Sequence, residues 1–354
     1  DKVVHIQGTI AIPSGGRITI QNQSGKSIIG LPGSKLTSSD QSKSSSGILY
    51  LKTSSNIIMR NVTFQGPGSK DVDGYDLMTI EGGDHIWIDH CDFIDGLDGN
   101  FDIKRQANYI AVTWCKFSYT SKSSNHQFSN LIGHDDSFTA DKNHLKITFQ
   151  YNWWADGVVE RMPRVRFGQV HVVNNYFSST KADYNIAAGV GADILVENNF
   201  FGYETEYIDL SKSDGNTKVT AKGNSPNVTT SKGTATTPPY SLQKSEASAV
   251  KALVTGACGA GATITSNCNC LITALDDQSS TLADLVVYPN PSKQDFSINL
   301  PTMSTITILD SAGQLIESIQ GEGKKNFGHN YKEGFYIVQI KSGATSKSYK
   351  IVKE

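Results

Sequence analysis

Two short charged segments stand out as places where this chain could do chemistry. Asp98-Gly99-Asn100-Phe101-Asp102-Ile103-Lys104 sets two carboxylates four residues apart, and Arg161-Met162-Pro163-Arg164-Val165-Arg166 sets three guanidinium groups within one short run. Carboxylates are the usual protein donors to Ca²⁺, which takes about six to eight oxygens at about 2.3 to 2.6 Å. Two residues four apart on an extended strand lie roughly 13 Å from each other, too far to share an ion. Gly99 must therefore let the chain turn between them. The guanidinium fork is shaped for carboxylates. Taken singly, Asp98 reads as a turn residue, Asp102 as a solvated strand charge, and the arginine run as a basic surface loop. Their chemistry depends on elements that bring them together.

Those elements announce themselves as a repeat. Windows ending in an aromatic recur at Ile57 to Phe64, Ile86 to Phe93, Ile110 to Phe117, Ile147 to Trp154, Val170 to Phe177 and Ile194 to Phe201, with final aromatics 29, 24, 37, 23 and 24 residues apart. Each window is rich in β-branched and aromatic residues and begins with period-two alternation, which reads as a strand. Repeats of this length with one short strand per copy indicate a solenoid, whose coils bury their inner faces only by stacking on one another. A parallel β-helix fits best. The sixth window position is Asn152, Asn175 and Asn199, and again Asn224 in the weaker segment that follows. Side chains so aligned at strand separation can hydrogen-bond up the stack as an amide ladder, the alternative being that they only mark turns. The same column holds Cys91 and Cys115, expected as neighbours on adjacent coils, either packed as thiols or bridged.

The repeat fades near Asn224. Residues 225 to 245 read as an irregular segment wrapping the coils, and Ser245 to Val254 as a final helix packed on them. Asp276 to Ser280 reads as a linker. Strand-like stretches follow at Phe296 to Leu300, Thr305 to Leu309, Gln314 to Ile319 and Gly334 to Ile340, with a turn signal at Ser311-Ala312-Gly313, which suggests a small C-terminal β-sandwich. The expected organisation is a β-helix domain over 1–262, a linker over 263–282 and a second β domain over 283–354.

Composition excludes little. Lys and Arg total 32 against 34 for Asp and Glu, a net charge of -2, so bulk charge argues neither for nucleic acid nor for a membrane surface. No apolar run reaches the length of a membrane-spanning helix. The chain starts at Asp1 without a signal-like segment, and is read as a processed or trimmed product. Of five cysteines, Cys258, Cys268 and Cys270 crowd together without the spacing and His partners of a zinc site, leaving one or two disulfides as the open reading.

Three segments in order resemble polysaccharide lyase family one, the pectate lyases: Ile86-Trp87-Ile88-Asp89-His90, Asp98 to Lys104, and Arg161 to Arg166, supported by Gly168-Gln169-Val170-His171-Val172-Val173-Asn174-Asn175-Tyr176. The resemblance runs from about residue 3 to about residue 262 and implies an all-β, right-handed parallel β-helix. It implies Asp76, Asp98 and Asp102 as Ca²⁺ ligands, Arg161 as the base that takes the C5 proton of a galacturonate, and Arg166 as the binder of a substrate carboxylate. An arginine base is unusual, but a nearby cation disfavours its charged form, the direction required. Asp89 and His90 are assigned to structure, as a buried hydrogen-bonded pair beneath the site. The family places a Lys where this chain has Phe128, and Lys104, Arg105 or Lys122 are the substitutes at hand, Lys104 and Arg105 being read as substrate-binding.

The C-terminal segment resembles the sorting domain of type IX secretion cargo, in Val287-Tyr288-Pro289-Asn290-Pro291, Leu309 to Gly313 and Gly334-Phe335-Tyr336-Ile337-Val338. That implies an address read by export machinery; a carbohydrate-binding β domain is the alternative. Together the resemblances imply a secreted or cell-surface monomer that binds Ca²⁺ and cleaves acidic polysaccharide, polygalacturonate or pectin, by β-elimination to unsaturated oligogalacturonides. Three rivals remain. A pectin lyase would dispense with Ca²⁺, a hydrolase would need two carboxylates flanking the bond, and a non-catalytic β-helix adhesin or polysaccharide-binding module would keep the Asn ladder without needing Arg161.

Overall fold

The computed structural model describes residues 2–42, 46–70, 74–265, 268, 285–310, 314–342 and 345–354. The chain divides into two compact units, Asp1–Ile272 and Thr273–Glu354. The first is a parallel β-solenoid. Each coil contributes a strand to three parallel sheets, here called A, B and C, of nine, eight and eight strands. One strand per repeat was the expectation, and three is the finding. Each window holds a sheet A strand, a corner and a sheet B strand, as in Ser55–Arg60 followed by Thr63–Gln65. The sheet C strands, such as Phe101–Lys104 and Arg164–Val165, are two to five residues long and sit in Gly- and Asp-rich sequence, too short to show a period.

Two side-chain columns hold the coils in register. Inside, Phe64, Phe93, Phe117, Trp154, Phe177 and Phe201 stack with successive ring centroids 5.0, 5.2, 5.5, 4.8 and 4.6 Å apart. At the A–B corner, the Asn152, Asn175 and Asn199 Nδ2 groups each donate to the next Asn Oδ1 at 3.0 Å, ending on Asn224. Each ladder amide also donates to a backbone carbonyl, and each Oδ1 also accepts from the preceding backbone N–H. The amides are thus buried and fully satisfied, the condition under which buried polar groups stabilise. The ladder starts on Cys115, whose N–H donates to Asn152 Oδ1 at 2.9 Å. Cys91 and Cys115 are buried free thiols in the same column.

The residue before each column member adopts a left-handed conformation: Asn61, His90, Trp114, Tyr151, Asn174 and Asn198 have φ between 46° and 60°. For Trp and Tyr this costs of order 1 to 3 kcal/mol. Ring stacking offsets part of it, since His90 lies on Trp114 at 5.7 Å and Trp114 on Tyr151 at 4.4 Å.

The segment after Asn224 runs over the sheet A face as expected. Tyr240 Oη meets Thr148 and His171, Gln243 O accepts from Gln150, and Ser245 bonds Asn174 and Asn198. The helix Ala247–Val254 then buries Val250 and Val254 with Tyr176 and Ala260. Ile264 exchanges two hydrogen bonds with Asn61, and Cys258 is bridged to Cys268. Cys270 and the linker at 276–280 lie outside the described residues.

The second unit is a four-stranded antiparallel sheet. Phe296–Leu309 is one strand rather than two, with a register shift between Leu300 and Ser304. A last strand, Thr345–Lys353, had no place in the sequence reading because polar residues dominate it. The turn expected at 311–313 lies outside the described residues.

Replacing Asn175 by Ala would strand the Asn152 amide and the Phe149 carbonyl in the interior. The expected cost is roughly 3 to 5 kcal/mol in denaturant unfolding. A loss below about 1 kcal/mol would show that the ladder is incidental to stability.

Candidate active site

Sheet C gathers the charged segments. Its outward-facing residues form rows across the strands, because Tyr50 pairs with Thr79, Thr79 with Asp102, and Leu131 with Arg164. One register step on, Lys52 pairs with Glu81 and Glu81 with Lys104. The edge where these strands begin is shared by Asp76, by Asp98 and Asp102 on the next coil, by Phe128 on the one after, and by Arg161 beyond it. Gly99, Phe128 and Glu160 pair as parallel bridges, which places the loops rung on rung.

The three carboxylates are close. Asp76 and Asp102 are 6% and 7% exposed, and a Cβ on Gly99 would stand 2.5 Å from Asp76 Oδ1. Gly99 lies in a parallel bridge rather than at a turn, and it is the gap that admits the Asp76 carboxylate. Burial, then the Asp102 charge, raises the Asp76 carboxyl well above the usual range, with the Asp98 charge adding to the effect. Lys104 Nζ lies 3.5 Å from Asp102 Oδ2 and 4.0 Å from Asp76 Oδ2, and those charges raise its pKa even though burial opposes them. Asp98 Oδ1 is 2.7 Å from His126 Nε2, Asp76 Oδ2 accepts from the Thr79 hydroxyl, and Asp102 Oδ1 accepts from the Leu131 N–H.

As they stand, no group of three or more His, Cys, Asp or Glu side chains among the described residues has its donors gathered tightly enough to hold a metal ion. The donor set nevertheless fits Ca²⁺. It is all oxygen, its carboxylates repel one another, and an ammonium already answers that repulsion.

Arg161 is held in a left-handed conformation, φ 64°. Its carbonyl accepts from Asn130 N–H at 2.7 Å, and the next N–H, of Met162, donates to Asn185 O at 2.8 Å. Asn130 is itself fixed, accepting from Trp154 Nε1 and Ser129 Oγ and donating to Phe101 O. The Arg161 guanidinium lies over the Phe128 ring, 4.2 Å from its centroid, so the unexpected aromatic is a platform for this cation. Arg161 Nε and Arg166 Nη1 are buried without hydrogen-bond partners. Arg166 Nε meets Asp136 Oδ1 at 2.5 Å. Burial and the Arg166 charge lower the pKa of Arg164.

The other candidates lie elsewhere. Arg105 pairs with Glu81 at 3.4 Å and with His134 at 2.8 Å, further along the strands, and Lys122 is exposed on a loop. Asp89 and His90 do form a buried pair at 2.8 Å. It packs with Arg60, Thr113 and Trp114 at the A–B corner, however, rather than beneath the acids. Sequence reasoning missed His126 as the partner of Asp98 and Phe128 as the support of Arg161. No spacing rule could have found them, since they meet their partners only through coil stacking.

Comparison with known proteins agrees with this geometry. A family model described as pectate lyase matches residues 1–268, and one described as a secretion system C-terminal sorting domain matches residues 286–354, the mark of a secreted or cell-surface protein. A pectate trisaccharide-lyase of Thermotoga maritima is 35% identical over 184 residues, 50% of this chain and 45% of the relative. A pectate lyase of Bacillus subtilis is 35% identical over 217 residues, 51% and 50% of the two chains. The chain thus spans about half the length of the curated relatives it matches. Among solved structures, a pectate lyase bound to a hexasaccharide is similar with a TM-score of 0.56 and 26% identity, over 70% of this chain and 69% of that one. A pectate lyase from a Bacillus species, in complex with trigalacturonate, gives 0.56 and 26% over 74% and 86%. With its solenoid matched from end to end, the chain belongs to the pectate lyase family.

Proposed function

We propose that the protein is a pectate lyase that cleaves α-1,4-linked polygalacturonate by Ca²⁺-dependent β-elimination, releasing unsaturated oligogalacturonides. The observation that carries this reading is the alignment of Asp76, Asp98 and Asp102 with Arg161 along one edge of sheet C, in a chain of this family. Asp76, Asp98 and Asp102 are the residues that would hold Ca²⁺, and the ion when bound neutralises a uronate carboxylate, making the proton on the adjacent C5 easier to remove.

The chain's own groups do the rest. Arg161 stands over Phe128 as the base that takes the C5 proton. The electron pair left behind forms the C4–C5 double bond while the C4–O bond breaks, and the departing oxygen takes up a proton. The Phe128 ring fixes the place of the guanidinium but favours its charged form, so the push toward the neutral base would come from the charge of the bound ion. Arg166 Nη1, buried and unpartnered, is a donor ready for a substrate carboxylate, and the exposed Asp136 is the partner it would exchange. Lys104 screens the acid pair and lies within reach of the same substrate. The C-terminal unit is the part we assign to export machinery.

Turnover of polygalacturonate, followed by the ultraviolet absorbance of the unsaturated product, is expected to vanish in excess EGTA and to return with added Ca²⁺. Undiminished turnover in chelator would overturn the calcium assignment. Arg161→Lys should lower kcat by about a thousandfold while polymer binding stays within about threefold. Retention of a tenth of the rate would point to another base.

Asp76→Asn tests the electrostatics apart from turnover. The folded state raises the Asp76 carboxyl above its unfolded value, so its contribution to stability is complete below the unfolded pKa and is lost as pH rises through the folded one. In chelator the variant should therefore melt higher than wild type at pH 8, and no higher at pH 4. A lower melting temperature at pH 8 would mean that the charge is stabilising.

A further inference from the structure

Three coils before Asp102, at the start of a sheet C strand, Arg17 contacts two tyrosines. Its guanidinium carbon lies 4.2 Å from the ring centroid of Tyr50 and 4.2 Å from that of Tyr75. The Tyr50 ring is held at its hydroxyl, and Tyr75 is anchored through its backbone. Tyr50 Oη donates to Glu81 Oε2 at 2.5 Å, and the Tyr75 backbone N–H donates to Ser46 Oγ at 2.9 Å. Tyr75 is 38% exposed and directly precedes Asp76 in the chain. Lys52 stands beside Tyr50, its Nζ 5.9 Å from the ring centroid.

Charge pairing on this face is uneven. Lys104 answers Asp76 and Asp102, Arg105 answers Glu81, and Arg166 answers Asp136. Among the described residues no carboxylate lies within ion-pair distance of Arg17 or Lys52, although Glu81 is the strand neighbour of Lys52. A guanidinium in contact with two rings is partly ordered before any ligand arrives, which lowers the ordering cost of meeting a ligand carboxylate. The tyrosines add aromatic surface of the kind that packs on sugar rings.

Position matters as much as chemistry. Tyr50 stands in the same row as Thr79 and Asp102, and neighbouring strands are about 4.8 Å apart, which puts Tyr50 roughly 10 Å from Asp102, with Tyr75 and Asp76 on the coil between them. Arg164 sits in that row on the far side, about the same distance away. A polymer crossing the strands along the row would meet unpaired cations at both ends and the acid cluster between them.

We propose that Arg17, Tyr50, Tyr75 and Lys52 form a distal subsite for a uronate residue of the chain, engaged only by oligomers long enough to reach it. The inference rests on the reading of the substrate as polygalacturonate. It sets a length preference: a dimer anchored at the acid cluster falls short, whereas a hexamer spans both.

The test is calorimetric binding of digalacturonate and hexagalacturonate to the full chain in Ca²⁺, with no reliance on turnover. Arg17→Gln is expected to weaken hexamer binding about tenfold and leave dimer binding within about twofold. Lys52→Gln, which leaves the contacts of Arg17 with both rings intact, should lower hexamer affinity in the same direction by a smaller factor. Equal hexamer affinity in wild type and both variants overturns the subsite, as does an equal loss for dimer and hexamer. A wild type that binds neither oligomer overturns the substrate reading itself and the subsite with it. Matching melting temperatures for the variants and wild type separate lost binding from lost fold.

Discussion

The structure depends on one constraint, that every coil must repeat the register of the coil beneath it. A solenoid has no centre in which errors average out, so each coil buries its inner face only against its two neighbours. The amide column and the ring column enforce this in complementary ways. The rings supply apolar burial that tolerates sliding, while the amides require Nδ2 of one Asn to reach Oδ1 of the next at 3.0 Å, which sliding forfeits. Register in turn fixes which loops meet at the start of sheet C.

The link from register to chemistry can be followed atom by atom. Trp154 belongs to the ring column, and its indole N–H holds Asn130. Asn130 holds the carbonyl of Arg161, whose left-handed backbone aims a guanidinium onto Phe128. Strain at one residue is tolerated because the coils on either side of it are already fixed. The acids show the same logic in another form: Asp76 and Asp102 are forced together by strand pairing, and the resulting repulsion leaves the site in want of positive charge.

How much of this was legible beforehand follows from the range of each signal. The columns were readable because a six-position offset repeats with fixed chemistry at Asn152, Asn175, Asn199 and Asn224. The acid and arginine motifs were readable because they are contiguous in sequence. The sheet C strands were not, being two to five residues long with no room for alternation. The contact of Phe128 with Arg161 was not either, since the two lie on different coils and sequence offers only an aromatic where a cation was expected. The Asp89–His90 pair illustrates the limit from the other side: its chemistry was evident, but its place was the A–B corner rather than the site.

The two hydrogen bonds between Asn61 and Ile264 span 203 residues, whereas coil contacts span some two dozen. Most of the solenoid can therefore assemble outward from any coil with little loop-closure cost, as repeat proteins do. This latch cannot. It closes only when nearly the whole unit has been made, and it lies beside the Cys258–Cys268 bridge, just before the chain passes to its C-terminal unit. Completion of the solenoid is thereby recorded at its exit: a chain lacking the coil that carries Asn61 forfeits both of these bonds at its final segment.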